Sequence, residues 1–111
     1  MWVQEEHQGP TFVKEPPDTL DFSNMTGATL ECTATGRPEP KVTWTRVDET
    51  LVTDVSRLRQ VLINGTLVFK PFKAEDYRQD VHTAIYKCVA SNPTGSVVSR
   101  DTQECYKALN T

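Results

Sequence analysis

The sequence predicts an all-β fold in which two antiparallel sheets pack as a sandwich. Three observations predict it. Seven or eight short β-type segments recur at spacings of about 8–12 residues, with no long helical pattern between them. Asn64-Gly65 joins two apolar runs, Leu58–Ile63 and Thr66–Phe69, as hairpin residues do. Cys32 and Cys88 each sit in an alternating segment, with Trp44 on a third between them.

The elements follow in order. Residues 1–8 are polar and acidic and are expected to form a flexible lead-in. Thr11–Lys14 reads as an edge strand, closed by Pro16-Pro17, which has no N–H to give a ladder. Leu20–Phe22 is followed by the turn-type cluster Asn24-Met25-Thr26-Gly27. From Ala28 to Ala34 the residues alternate, placing Ala28, Leu30, Cys32 and Ala34 on one face. Gly36-Arg37-Pro38-Glu39-Pro40 is expected to be a loop, and Val42 and Trp44 share the buried face of the next strand.

Between Asp48 and Gln60 two readings stand. Leu51, Val55 and Leu58 recur at helical spacing, while Thr50, Val52, Thr53 and Val55 are β-branched and favour strand or loop. For the hairpin a two-residue type I′ turn at Asn64-Gly65 places Leu62 opposite Leu67 and Val61 opposite Val68. Ala74-Glu75-Asp76 suits a single helical turn. Thr83–Ala90 and Ser96–Arg100 form the last strands.

Composition narrows the function. The chain has 111 residues, enough for one core, with 37% hydrophobic and 24% charged residues. Its apolar runs are far shorter than the roughly 18 residues of a membrane helix. The first residues also lack the apolar stretch of a secretory leader, so a secreted parent would make this chain a mature fragment. A net charge of −3 with scattered Lys and Arg gives no basic face, so no nucleic-acid partner is expected. No CxxC or HxxxH spacing marks a metal site, and no cofactor is expected.

Cys32, Trp44 and Cys88 stand in the order of an immunoglobulin domain, which this region resembles. The resemblance implies a Cys32–Cys88 disulfide through the core, an indole covering it, and Greek-key connections. Tyr86, two residues before Cys88, takes the place of the tyrosine-corner residue. Leu30, Val42, Trp44, Leu67, Phe69 and Tyr86 are expected to build the core. Gly36-x-Pro38-x-Pro40 and Ala90-x-Asn92-x-x-Gly95 are similar to the B–C and F–G turns of the I set. One departure stands out: His82 occupies the position that is usually Asp, and the connection between strands E and F is about six residues longer.

That long segment, Phe69-Lys70-Pro71-Phe72-Lys73-Ala74-Glu75-Asp76-Tyr77-Arg78-Gln79-Asp80-Val81-His82, resembles the first immunoglobulin domain of the Down syndrome cell adhesion molecules (Dscam). So do Gly9-Pro10-Thr11-Phe12, Asp21-Phe22-Ser23-Asn24 and Gly95-Ser96-Val97-Val98-Ser99-Arg100-Asp101. The resemblance implies the extracellular, non-enzymatic outer module of a neuronal or arthropod immune receptor. Its partners would be sister domains of its own chain and the identical receptor on an opposing cell, with no direct membrane contact. The alternatives are an intracellular filament module or a soluble immune receptor domain that binds microbial ligands. The resemblance runs from about Gly9 to Asp101 and fails beyond; the domain is expected over residues 9–102, with 103–111 read as a tail or the end of the last strand. Cys105 is then an exposed tail thiol, free or paired between chains.

Two acceptor sequons, at Asn24 and Asn64, fall in expected turns where a glycan would be exposed; Asn92-Pro93-Thr94 is blocked by its proline. A Cys105–His82 nucleophile pair would need hydrogen-bond contact and a third orienting group, for which nothing in the sequence speaks; no catalytic residue is expected. Lys70, Lys73 and Arg78 offer a small basic patch for a sulfated glycan, but beside Glu75, Asp76 and Asp80 they read first as solvated charges.

Overall fold

Alternating β-branched and aromatic residues lay down ten short strands in a computed structural model that describes residues 7–107. In chain order they are β1 Gln8–Lys14, β2 Thr19–Ser23, β3 Ala28–Leu30, β4 Thr33–Arg37, β5 Lys41–Arg46, β6 Arg59–Val61, β7 Leu67–Phe69, β8 Ile85–Asn92, β9 Gly95–Val98 and β10 Thr102–Lys107. A 3-10 turn, Ala74–Asp76, and one turn of helix, α1 Gln79–His82, lie between β7 and β8.

β3-β7-β6 form one sheet and β2-β10-β8-β5, with β9 also on β8, form the five-stranded sheet, while β1 and β4 pair with each other. All pairings are antiparallel except β2 with β10, which run parallel. Leu30, Cys32, Trp44, Leu67, Phe69, Tyr86 and Cys88 are buried between the layers. The Cys32–Cys88 disulfide crosses the core with a Cα–Cα distance of 6.5 Å. Trp44 is hydrogen-bonded as a buried indole must be, its Nε1 donating to the Gly65 carbonyl at 2.7 Å.

Several sequence expectations need correction. The first strand begins at Gln8, so the expected lead-in stops short of residue 8; residues 1–6 lie outside the described residues. The Ala28–Ala34 run breaks at Glu31-Cys32 into β3 and β4, and Gly36-Arg37 belongs to β4 rather than to a loop. Val42 is half-buried and packs against the core from its edge. Leu51 and Val55 make isolated bridges to Thr45 and Arg59, so no helix forms between Asp48 and Gln60.

The hairpin differs by one residue of register, Val61 facing Leu67 and Arg59 facing Phe69. A type I′ turn needs positive φ at both central residues, and here Gly65 has φ +94° while Asn64 does not. Leu62, Ile63, Asn64 and Gly65 instead form a turn closed by Gly65 N–H to the Leu62 carbonyl at 2.9 Å, with Asn64 Oδ1 accepting Thr66 N–H at 3.0 Å. Such a three-residue loop shifts pairing by one, and a one-residue shift exchanges faces. Leu62 is thereby turned outward, and Arg59 inward.

Thr102–Lys107 form a strand in register with both β8 and β2, so of the two readings of 103–111 the end of the last strand holds for residues 103–107. The side chains that face inward along it are polar: Thr102 and Glu104 are buried. Residues 108–111 lie outside the described residues.

Candidate functional site

Two regions concentrate unusual chemistry. The first is a groove of about 720 Å³ between β5 and the β6–β7 hairpin. Val42, Trp44 and Val61 contribute to its apolar lining, and Leu51, Leu62, Ile63 and Asn64 border it. Leu51, Leu62 and Ile63 are all exposed. The hairpin tip is fixed against β5: a Cβ on Gly65 would lie 3.0 Å from the Val42 side chain, and Gly65 O holds the indole. Asn64 is exposed, as its turn position requires.

The second region is the base of the sandwich, where the long segment after β7 folds back under the sheets. The Tyr86 hydroxyl donates to the Val81 carbonyl at 2.8 Å and accepts from Arg59 at 3.0 Å; Arg59 Nε also donates to Thr53 O at 3.0 Å. Burial holds the Tyr86 hydroxyl well above the ordinary phenol range. His82, at the position usually Asp, is fully buried and stacks on Phe72 with ring centroids 3.8 Å apart. Phe22, Tyr77 and Tyr106 complete the aromatic box. The His82 Nδ1 accepts the Arg78 N–H at 2.9 Å, and burial pushes the imidazole below its ordinary value. With His82 at this position, Arg59 donates to the oxygen atoms of two neutral groups, Thr53 and Tyr86.

Glu104 is the residue that sequence reasoning missed. Its Oε2 accepts Ala84 N–H at 3.3 Å, and burial pushes its pKa up to about 8. Oε1 of Glu104 and Nε2 of His82 are the buried side-chain atoms without a hydrogen-bond partner among the described residues. Alternation along β10 from Thr102 would have signalled an inward Glu104, had the last strand been extended through it.

The expected site residues fare differently. Asn24 is 8% exposed and is part of the base: its Nδ2 donates to Phe72 O at 3.2 Å while Phe72 N–H returns to Asn24 O at 2.8 Å. The tight turn behind it needs glycine, since Gly27 has φ +65° and a Cβ there would meet Phe69 O at 2.4 Å. The expectation of an exposed Asn24 is therefore corrected. Cys105 is unbonded but half-buried within β10, opposite Asp21, so it is no exposed tail thiol. No hydrogen bond joins it to His82 among the described residues. Arg78 is held by Asp80 at 2.7 Å and lines a mixed-charge groove together with Lys73, Glu75 and Asp76. Among the described residues no group of three or more His, Cys, Asp or Glu side chains is placed to hold a metal ion.

Comparison with known proteins matches this geometry to a family. The immunoglobulin domain profile covers residues 10–92. The cell adhesion molecule Dscam1 of Drosophila melanogaster is 54% identical over 96 residues, 86% of this chain and 5% of that protein. The human cell adhesion molecule DSCAM is 31% identical over 101 residues, 91% of this chain and again 5% of its length. Among solved structures, the N-terminal four Ig domains of Dscam1 isoform 6.9 superpose with a TM-score of 0.92 at 49% identity, covering 96% of this chain and 27% of that one. The chain thus spans a small part of each relative. Profile, disulfide and two-layer topology agree: this chain belongs to the immunoglobulin domain family.

Proposed function

We propose that this chain is the first immunoglobulin module of a Dscam-like cell-adhesion receptor, on the extracellular side of the plasma membrane or in a secreted form, and that it acts by recognition without catalysis. The observation that carries this reading is the identity of about one residue in two with Dscam1 over nearly the whole module, the long segment after β7 included. A core stapled through the disulfide keeps sheet faces and loops rigid, so little entropy is lost when they dock on a partner. The partners are sister domains of the same receptor and an identical receptor on an opposing cell. An intracellular filament module would keep its cysteines reduced, and the disulfide favours the oxidising route.

Beads carrying the complete receptor ectodomain, with and without residues 9–101, test the reading. Clustering is expected to weaken on removal; unchanged homophilic clustering would overturn it. Thiol counting in the unfolded, unreduced chain separates the compartments. One reactive thiol is expected, and three would sink the extracellular assignment.

A further inference from the structure

The exposed apolar strip beside the hairpin tip needs an occupant. Leu51, Leu62 and Ile63 project into solvent around the groove that Val42 and Trp44 floor, and Ile63 is fully exposed at the tip of a turn. Surface residues of this size scattered singly need no explanation, but here they are contiguous. Asn64, in Asn64-Gly65-Thr66, is the N-glycosylation acceptor on that rim. Its Oδ1 is engaged by Thr66 N–H at 3.0 Å, which fixes the side chain, while its Nδ2 makes no hydrogen bond among the described residues. The other acceptor has the opposite setting. Asn24 is buried and its Nδ2 donates to Phe72 O, so a sugar there would break that bond and force the base of the sandwich apart.

We propose that Asn64, and not Asn24, carries an N-linked glycan, and that its innermost N-acetylglucosamine lies over Leu51, Leu62 and Ile63. The sugar ring has an apolar face and an N-acetyl methyl group, which suit an aliphatic strip, while its hydroxyls face water. The groove is thereby covered by the chain's own modification, and the β5 and hairpin face is withdrawn from protein contact. The inference rests on the extracellular reading only for its occurrence in the native setting. Forced secretion from a eukaryotic host tests it independently of the bead experiment.

The chain is secreted from cells that keep glycans high-mannose and is analysed by glycopeptide mass spectrometry. One glycan at Asn64 and none at Asn24 is expected; a bare Asn64 or a glycan at Asn24 overturns the proposal. Hydroxyl-radical footprinting then compares the intact glycoprotein, the form trimmed to one sugar by endoglycosidase H, and the form stripped by PNGase F. Labelling of Leu51, Leu62 and Ile63 is expected to stay low in the first two and to rise about twofold or more in the third. Equal labelling in all three overturns the covering role. Thr66→Val removes the acceptor while leaving the Asn64 turn, and should label like the stripped form. Light scattering on that variant reports self-association; protection of the strip by a second copy would show that the groove takes protein, and would defeat the proposal.

Discussion

Around the Cys32–Cys88 bond the side chains are apolar, with Leu30, Trp44, Leu67 and Phe69 in one buried cluster with the two cysteines, and the indole N–H is satisfied. At the base, beneath the same two layers, the buried groups are Asn24, Arg59, His82, Thr102 and Glu104. The first region is held by burial and a covalent staple and has little to titrate. The second is held by directional bonds between polar groups, two of which leave an atom unsatisfied. Burial of an ionisable group favours its neutral form. The two regions should therefore respond to different perturbations, the upper to loss of volume or cross-link and the lower to pH.

The largest expected effect tests the staple. Replacing Cys32 and Cys88 together by Ala opens a loop of 56 residues, and loop-closure entropy sets the loss at about 4 kcal/mol. Guanidinium unfolding of the two proteins measures it, and a loss below 1 kcal/mol would show that packing alone holds the upper core. Next comes Glu104→Gln, which keeps an acceptor for Ala84 N–H. The carboxyl of Glu104 has a pKa raised to about 8 in the fold from an ordinary 4.5. Its contribution is fully present below pH 4.5 and is lost as pH rises toward 8. The Gln variant should match the parent near pH 4 and exceed it by roughly 3 kcal/mol at pH 7, with parallel pH profiles refuting the titration.

His82 acts in the other direction. Its folded pKa is depressed by burial, so its contribution is present above the ordinary imidazole value and is lost as pH falls below it. Thermal melts between pH 7 and pH 5 should show a decline in the parent that flattens in His82→Phe; an identical decline would place the acid sensitivity elsewhere. The smallest effect concerns the end opposite the base. Asn92 donates to the Gln8 and Pro38 carbonyls at 2.8 and 2.9 Å and accepts Thr94 N–H at 3.0 Å, tying three segments together. Asn92→Ala should cost about 1–2 kcal/mol in urea unfolding with no change in pH profile.

The same division explains what could be read from the residues. Leu30, Trp44, Leu67, Phe69 and Tyr86 follow from alternation, because an apolar residue on an inward face needs no partner to be recognised. Asn24 and Arg59 follow from no local pattern, and Glu104 follows only when alternation is carried on from Thr102. Each becomes an interior residue only because a distant segment supplies its acceptor or donor: Phe72 for Asn24, Thr53 and Tyr86 for Arg59, Ala84 for Glu104. The hairpin register was unreadable for a related reason. Asn64-Gly65 fits either a two- or a three-residue loop, and the choice accompanies Trp44 and Val42 holding the tip from another strand. For the candidate site, the sequence located both sequons, but exposure distinguished them only once Phe72 was seen to close over Asn24.

The parallel pairing of β2 with β10 bears on mechanics. Five residue pairs, from Gln103↔Thr19 to Lys107↔Ser23, join a strand near the start of the chain to one near its end. Tension pulling the two ends apart would slide these strands along each other. Their hydrogen bonds would then carry the load together, whereas a hairpin peeled from its tip breaks them one at a time. Tension between the two ends would therefore be resisted at this seam, with the disulfide limiting how far the chain can pay out if the seam gives way.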